Sequence, residues 1–292
     1  MKDFTIAVSS TCDLDRQWLN EHDIPFLPYT FELEDSVITD DCTPSVRHLL
    51  YSAMRSGTLP KTSSINVMRY YDFFKDLLKS GKDVIYMDMS KEISGAYNNS
   101  LIAKEMIQNE FPDQRLTIID TGSIAIGLGL LIKECVALKE SGADYDEVVM
   151  YADEIKGKIA HCFMVENLRW LQAGGRISNA SAVVGTLMAI KPLIYVDEEG
   201  KLIASRKVHG RKKAVHALIA SIKENTSSTE GLKVLIAHAD CGADAEQMKQ
   251  AIRETYPDIG EITIYELGPT IGCHVGPDFL ACAYIANGRK PL

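Results

Sequence analysis

The chain has 292 residues, of which 46% are hydrophobic and 24% charged, so it is long enough to bury a sizeable core in two domains. A formal net charge of −9 argues against sequence-independent binding to nucleic acid or to an anionic membrane surface. Seven scattered cysteines with no C-x-x-C pair predict free thiols in a reducing cytosol, not a disulfide framework or a structural zinc site.

The first half of the chain alternates strand and helix patterns. Three apolar runs end in small polar residues and are followed by helical periodicity: Phe4–Val8, Asp83–Met89 and Leu116–Ile119. The helices begin near Asp13, after Gly95 and after Gly122. Extended strands (Ile24–Val37) lie between the first two units, followed by a helix (Val67–Leu78) whose predicted apolar face consists of Val67, Tyr71, Phe74, Leu77 and Leu78. This alternation predicts a Rossmann-like parallel sheet covered by helices on both faces.

The second half of the chain has a different order of predicted strands and helices. Its predicted strands are His161–Val165, Leu193–Val196, Leu202–Lys207, Leu232–His238 and Ile262–Leu267, and its predicted helices are Leu168–Leu171, Ala180–Ile190, Arg211–Asn225 and Ala243–Tyr256. The Asp197–Gly200 turn joins two strands as a hairpin. We therefore predict an α/β protein with two domains, residues 1–158 with a parallel sheet and residues 159–292 of the α+β class with a mainly antiparallel sheet.

No segment resembles a targeting sequence or a membrane span. The longest apolar run, Ser123–Val136, is interrupted by Gly127, Gly129 and Lys133, so it predicts a buried helix. The first residues lead directly into a strand and lack the pattern of a signal peptide. The expectation is a cytoplasmic protein without stable membrane insertion.

Side chains with hydroxyl groups are concentrated at two predicted helix starts. Ser94 and Gly95 follow a strand, where unpaired backbone N–H groups and the helix dipole favour a carboxylate or phosphate. Thr62, Ser63 and Ser64 precede the helix at Val67. Taken alone, each cluster is better explained as an ordinary helix N-cap.

A histidine and two basic clusters are the other candidates. His274 lies in the glycine- and proline-rich stretch Gly268–Pro277, which we interpret as a tight turn that holds the ring rigidly. Arg176 follows two glycines, and Arg211 and Lys212 follow Gly210. These cations fit either solvated helix starts or recognition of an anionic group.

Several enzyme motifs are missing from the sequence. There is no G-x-S-x-G nucleophile elbow, no P-loop, no dinucleotide fingerprint and no H-x-x-H or carboxylate cluster that predicts a metal. One enzymatic alternative stays open, a hydrolase or acyltransferase in which Ser94 is the nucleophile, His274 the base and Asp120 the group that orients the ring.

Seven segments in this order resemble the DegV family of bacterial fatty-acid-binding proteins, also called FakB, over essentially the whole chain. They are Val8–Leu14, Lys61–Ser64, Ser90–Tyr97, Ile119–Gly129, Leu171–Ser178, Gly210–Lys213 and Gly268–Pro277. The chain departs from the family in one place, since many members have Gln or Pro after the hydroxyl cluster, where this chain has Ile65. That departure leaves the roles of Ser63 and Ser64 open.

The resemblance implies the DegV fold and a long-chain fatty acid as ligand, with no cofactor and no catalysis by the chain itself. Thr62, Ser94 and His274 would form the carboxylate network, together with Ser63 and Gly95, and the acyl chain would enter an interior tunnel formed largely by the second domain. Family members of the FakB kind present the acid to a separate kinase, FakA, which makes an acyl-phosphate for phospholipid synthesis. Arg176, Arg211 and Lys212 match basic positions that could face that kinase. Another apolar carboxylate or an isoprenoid is the remaining alternative ligand.

Overall fold

The structure is a computed structural model that describes residues 3–166, 168–177 and 190–291. The first part contains, in chain order, β1 (Phe4–Ser9), α1 (Arg16–Glu21), β2 (Phe26–Leu27), β3 (Thr30–Leu33), β4 (Ser36–Thr39), α2 (Pro44–Arg55), β5 (Lys61–Ser63), α3 (Val67–Leu78), β6 (Asp83–Asp88), α4 (Ala96–Ile107), β7 (Leu116–Asp120), α5 (Ala125–Glu140) and α6 (Tyr145–Ile155). The second part contains β8 (Ile159–Met164), α7 (Arg169–Ala173), β9 (Ile190–Val196), β10 (Leu202–His209), α8 (Arg211–Asn225), β11 (Val234–His238), α9 (Gly242–Thr255), β12 (Ile262–Glu266), α10 (Pro269–Val275) and β13 (Leu280–Ile285).

The first sheet is parallel, in the order β2-β1-β6-β7. Every residue of β6 is buried, as expected for a strand with helices on both faces of its sheet. Most of α5 is buried as well, because its apolar residues run around the whole helix instead of forming one stripe. The predicted parallel sheet and the predicted buried helix are both confirmed.

The second sheet has six strands in the order β10-β9-β8-β13-β11-β12. Every pair is antiparallel except β11 and β12, which confirms the mainly antiparallel prediction. Helices α8 and α9 pack on one face, over a core cluster that includes Cys162, Leu218 and Ile236. The opposite face, with Phe163 and Ala281, joins the main core that also contains the first sheet. Because one core spans both sheets, the division into domains at residue 158 stays a prediction.

A small antiparallel sheet, β4-β3-β5, lies beside the parallel one and shows that one predicted helix start was wrong. Residues 30–39 form the extended strands expected around the turn at Glu34. Lys61–Ser63, however, form a strand that pairs with β3 and do not start a helix. Helix α3 is capped instead by Asn66, whose side chain accepts a hydrogen bond from the Arg69 N–H.

Several other local predictions were wrong. The stretch interpreted as a turn contains helix α10, and α2, α6 and β13 were not predicted. The predicted helix Ala180–Ile190 lies outside the described residues except at Ile190, which begins β9. The buried face of α3 is formed by Tyr70, Phe74 and Leu78, because residues four apart share a helix face, whereas Val67, Tyr71 and Leu77 are only partly buried.

Arg289 connects distant parts of the chain. Its side chain is only 5% exposed and donates hydrogen bonds to the backbone oxygens of Gly122, Lys156, Ile159 and Asp197. Pairing with several carbonyls offsets the cost of burying a guanidinium. The β9–β10 hairpin is thereby held against the end of the parallel sheet. Within the described ranges, no helix is long and apolar enough to cross a bilayer.

Candidate functional site

A small pocket, which we call the polar pocket, lies where β5, the start of α4 and α10 meet. It contains about 410 Å³ of space, open solvent at its mouth included, and is lined by Tyr29, Thr62, Ser63, Ser64, Met89, Ile93, Ser94, Gly95, Arg176, Thr270, Ile271 and His274. The pocket thus brings together every residue that the sequence assigned to the carboxylate network. Hydroxyl donors dominate its lining.

An apolar cavity continues from the polar pocket into the interior. It encloses about 560 Å³, open solvent at its mouth included, and shares Ile93, Arg176, Ile271 and His274 with the polar pocket. Its deeper wall is formed by β8 and β13, where Phe163 lies opposite Ala281 across the strand pair. Further lining residues are Ile124, Ala125, Ile126, Leu171, Leu202, Val275 and Phe279. The two spaces together form a site with a polar entrance and an apolar interior.

Thr62 and His274 are in direct contact. The Thr62 Oγ1 and His274 Nε2 atoms are 2.7 Å apart, although the residues lie 212 positions apart in the sequence. β5 directs Thr62 toward α10, and His274 occupies the last turn of that helix. If Nε2 carries the proton and donates to Thr62, the threonine hydroxyl is free to donate to a ligand.

His274 is held neutral by its surroundings. Burial and the charge of Arg176 lower the pKa of His274 to about 4, so the ring carries no charge near pH 7. The backbone of Gly174 lies against its other side, since a Cβ on that glycine would be 2.2 Å from His274 Nδ1. The ring is therefore positioned between β5 and the end of α7.

The start of α4 contributes Ser94 and Gly95 to the pocket. The Ser94 Oγ accepts a hydrogen bond from the Ala96 N–H at 3.2 Å, so the hydroxyl proton remains available to a ligand. Gly95 is the residue that precedes the twelve-residue helix, where the helix dipole favours an anion. Ser94 thus caps the helix, and its hydroxyl proton and the positive end of the helix dipole both lie at the pocket.

Sequence reasoning missed two of the hydroxyl residues that line the polar pocket. Thr270 was part of the glycine-rich stretch, and its hydroxyl donates to the buried Asp40 at 2.8 Å. Tyr29 lies between the short strands β2 and β3, where an aromatic residue resembles ordinary core. Only the tertiary structure places its hydroxyl beside Ser94, so no sequence signal identified it.

The three cations lie in different surroundings. Arg176 is exposed, lines both the polar pocket and the cavity, and donates a hydrogen bond to the Gly174 carbonyl. Lys212 is exposed on α8 and does not line either space. Ser178, which ends the motif that contains Arg176, lies outside the described residues.

Arg211 is only partly exposed and is paired with acidic side chains. Its side chain is 25% exposed, pairs with Asp244 at 2.5 Å and lies 3.6 Å from Glu166. It also donates to the Asp278 carbonyl at 2.7 Å. These partners lie 33 to 67 residues away in the sequence, which is why a local pattern could not predict them. Arg211 therefore has a structural role in tying α8 to α9 and to the connection between α10 and β13.

The proposed catalytic triad is not assembled. Asp120 accepts hydrogen bonds from the N–H groups of Lys91 and Gly122 and lines a separate polar groove near Arg289. The hydrogen bond of the His274 ring is to Thr62. Among the residues that the structure describes, no cluster of three or more His, Cys, Asp or Glu side chains could hold a metal ion.

The structure thus combines a mixed α/β fold with a pocket rich in hydroxyl groups and an apolar cavity that shares part of its lining. The chain belongs to the DegV family, described as uncharacterised proteins, whose model matches residues 3–287. A DegV domain-containing protein from Clostridium perfringens is 34% identical, over all of both chains. A fatty acid-binding protein from Thermotoga maritima is 32% identical over 93% of this chain and 94% of its own. The crystal structure of a DegV lipid-binding protein, also from Thermotoga maritima, has a TM-score of 0.87 and 28% identity, and the match covers 99% of this chain and all of that one.

Proposed function

We propose that this protein binds one long-chain fatty acid, with its carboxylate in the polar pocket and its acyl chain in the apolar cavity. The continuity of the two spaces through Ile93, Ile271 and His274 is the observation that carries this proposal. A ligand that fills both must be polar at one end and apolar along its length. The fatty acid-binding relative from Thermotoga maritima supports the same ligand class.

The energetics favour such a ligand over a small polar one. Burying a methylene contributes ~0.8 kcal/mol, so about 15 of them contribute ~12 kcal/mol. Association costs ~4 to 15 kcal/mol, which leaves net binding dependent on the head group. A carboxylate that loses its water must be hydrogen-bonded, and the Thr62 and Ser94 hydroxyls provide donors without placing a second charge in the interior.

We further propose that the bound acid is presented to a separate kinase that forms its acyl-phosphate. The sequence resemblance to FakB proteins and the lack of a P-loop in this chain support this role. Arg176 at the mouth of the polar pocket and the exposed Lys212 are suitable contacts, since exposed cations mainly affect encounter and docking.

The ligand proposal is tested by extracting lipid from freshly purified protein and identifying it by mass spectrometry. We expect a stoichiometric long-chain fatty acid. Titration with a fluorescent fatty acid then compares Thr62→Ala and Ser94→Ala with Ser80→Ala, which removes an exposed hydroxyl outside the pocket. A hydrogen bond to a charged group contributes ~1.5–3 kcal/mol, so each pocket variant should bind roughly ten- to hundredfold more weakly. Protein that carries no lipid and takes up none would refute the proposal.

The kinase proposal has its own test. Lys212→Ala should retain bound fatty acid but form acyl-phosphate more slowly with a fatty acid kinase and ATP, whereas Lys79→Ala, at the exposed lysine that follows α3, should match wild type. If both variants form acyl-phosphate at the wild-type rate, Lys212 does not contact the kinase.

A further inference from the structure

The hydroxyl of Tyr29 is buried without a hydrogen-bond partner. Tyr29 is only 2% exposed, and its oxygen has no hydrogen-bond partner of acceptable geometry in the protein. Its backbone is fixed on both sides, because its N–H donates to Ser10 Oγ at 3.0 Å and its carbonyl accepts from the Asp40 N–H at 2.9 Å. The ring is therefore held in place with an unused polar atom.

Tyr29 is one of the residues that line the polar pocket. Buried polar groups in folded proteins are almost always hydrogen-bonded, so an unpaired one requires an explanation. Within the described part of the chain, the other buried side chains with unpaired polar atoms are Asp13, Arg47, Tyr86 and His161, and none of these lines the polar pocket. Tyr29 is thus the unpaired group that faces the space assigned to the ligand head.

The neighbours of Tyr29 favour a protonated phenol. Burial raises the pKa of Tyr29, and the nearby Ser94 and Tyr70 hydroxyls only partly oppose that shift, so the oxygen keeps its proton. Tyr70 donates its own proton to the buried Asp88 at 2.7 Å. Tyr29 is left as a hydrogen-bond donor at the wall of the pocket.

We propose that Tyr29 donates a hydrogen bond to the carboxylate of the bound acid, beside Ser94 and Thr62. This inference rests on the proposed fatty-acid-binding function and assigns an additional residue to its head-group site. A carboxylate accepts up to about four hydrogen bonds through its two oxygens, so three hydroxyl donors fit one ionised head group. An ester has lost this charge and accepts more weakly, so the site selects the free acid.

The test compares Tyr29→Phe with Tyr86→Phe. Tyr86 is an equally buried tyrosine with an unpaired hydroxyl outside the pocket, which makes it a matched control. Each variant and wild type is titrated with one long-chain fatty acid and with the methyl ester of that acid, and the melting temperature of the lipid-free protein is measured. We expect Tyr29→Phe to bind the acid about ten- to hundredfold more weakly, to bind the ester like wild type, and to melt at or above the wild-type temperature. Tyr86→Phe should bind both ligands like wild type.

The outcomes separate this inference from the proposed function. If Tyr29→Phe binds the acid as tightly as wild type, the role of Tyr29 is overturned but the proposed fatty-acid binding is not. Wild type that binds neither ligand refutes the function itself. A lower melting temperature for lipid-free Tyr29→Phe, or an equal loss of acid and ester binding, would assign the hydroxyl to the fold and also overturn the inference.

Discussion

Gly174 offers a direct way to test whether His274 belongs to the head-group site. Its backbone angles are helical (φ −78°, ψ −11°), so alanine is compatible with the backbone itself. The new Cβ would lie 2.2 Å from His274 Nδ1, whereas carbon atoms in contact are ~3.5–4.0 Å apart. Gly174→Ala must therefore displace the His274 ring by more than about one ångström.

That displacement breaks the contact between His274 and Thr62. The 2.7 Å separation of Thr62 Oγ1 and His274 Nε2 would exceed the ~3.2 Å limit of a good hydrogen bond. The lost bond costs roughly 1 kcal/mol, and misdirecting the Thr62 hydroxyl removes up to ~1.5–3 kcal/mol of binding to a charged oxygen. We expect fatty-acid affinity to fall about ten- to hundredfold in a fluorescence titration.

The control is Gly157→Ala, where a new Cβ meets no atom within 4 Å. A double-mutant cycle with His274→Ala then separates the cause, since Gly174→Ala should have no further effect once the ring is absent. If Gly174→Ala binds as tightly as Gly157→Ala, or if the two mutations are additive, His274 does not support the carboxylate and the reasoning fails.

Three further predictions concern pH, ligand length and the basic cluster. Burial raises the pKa of Asp88 to about 7, so between about pH 4 and pH 7 the folded state holds a proton that the unfolded state has released. The free energy of unfolding should therefore fall as the pH rises through this window, by at most ~1.4 kcal/mol per pH unit, and melting curves of Asp88→Asn, which mimics the protonated acid, should lack that component. Ala281→Leu, next to Phe163 on the neighbouring strand, adds a larger side chain to the cavity wall and should shorten the space for the acyl chain. Competition binding should therefore show selective loss of affinity for the longest acids. An unchanged preference for chain length would show that Ala281 does not line the acyl-chain site. Arg211→Ala leaves Asp244 without its partner and should lower the melting temperature, whereas Lys212→Ala should not; equal melting would assign no structural role to Arg211.

The sequence predicted the features that depend on local periodicity. The two larger sheets were predicted from the apolar runs and from the change in strand and helix pattern near residue 158. Helix α8 has the predicted bounds, Arg211–Asn225. Ser94 could be identified because polar residues that follow a strand are easily recognised, and Thr62 because it lies in a run of hydroxyl residues. Their roles as ligand contacts were implied by the family resemblance and remain predictions.

The errors arise where distant residues decide the local structure. Helix α10 was interpreted as a turn because it has three glycines and a proline in and around seven residues. Pro269 occupies the first turn, where proline is favoured, and Gly272 allows the Tyr51 hydroxyl to approach. The ion pairs of Arg211 could not be predicted, because Asp244 and Glu166 are distant from it in the sequence. Tyr29 was overlooked because its environment exists only in the folded chain.

The position of β13 has a consequence for synthesis of the chain on the ribosome. β13 is the last strand in the sequence, yet it lies between β8 and β11 in the middle of the six-stranded sheet. Until residues 280–285 leave the exit tunnel, the β8–β10 and β11–β12 parts of the sheet cannot be joined. The parallel sheet depends on residues 4–120 and can form during translation, as early segments commonly do. We infer that the apolar interior stays open to chaperones and to lipid until residues 280–285 have emerged from the ribosome, and that a ribosome stalled before residue 280 would carry a nascent chain with no closed cavity.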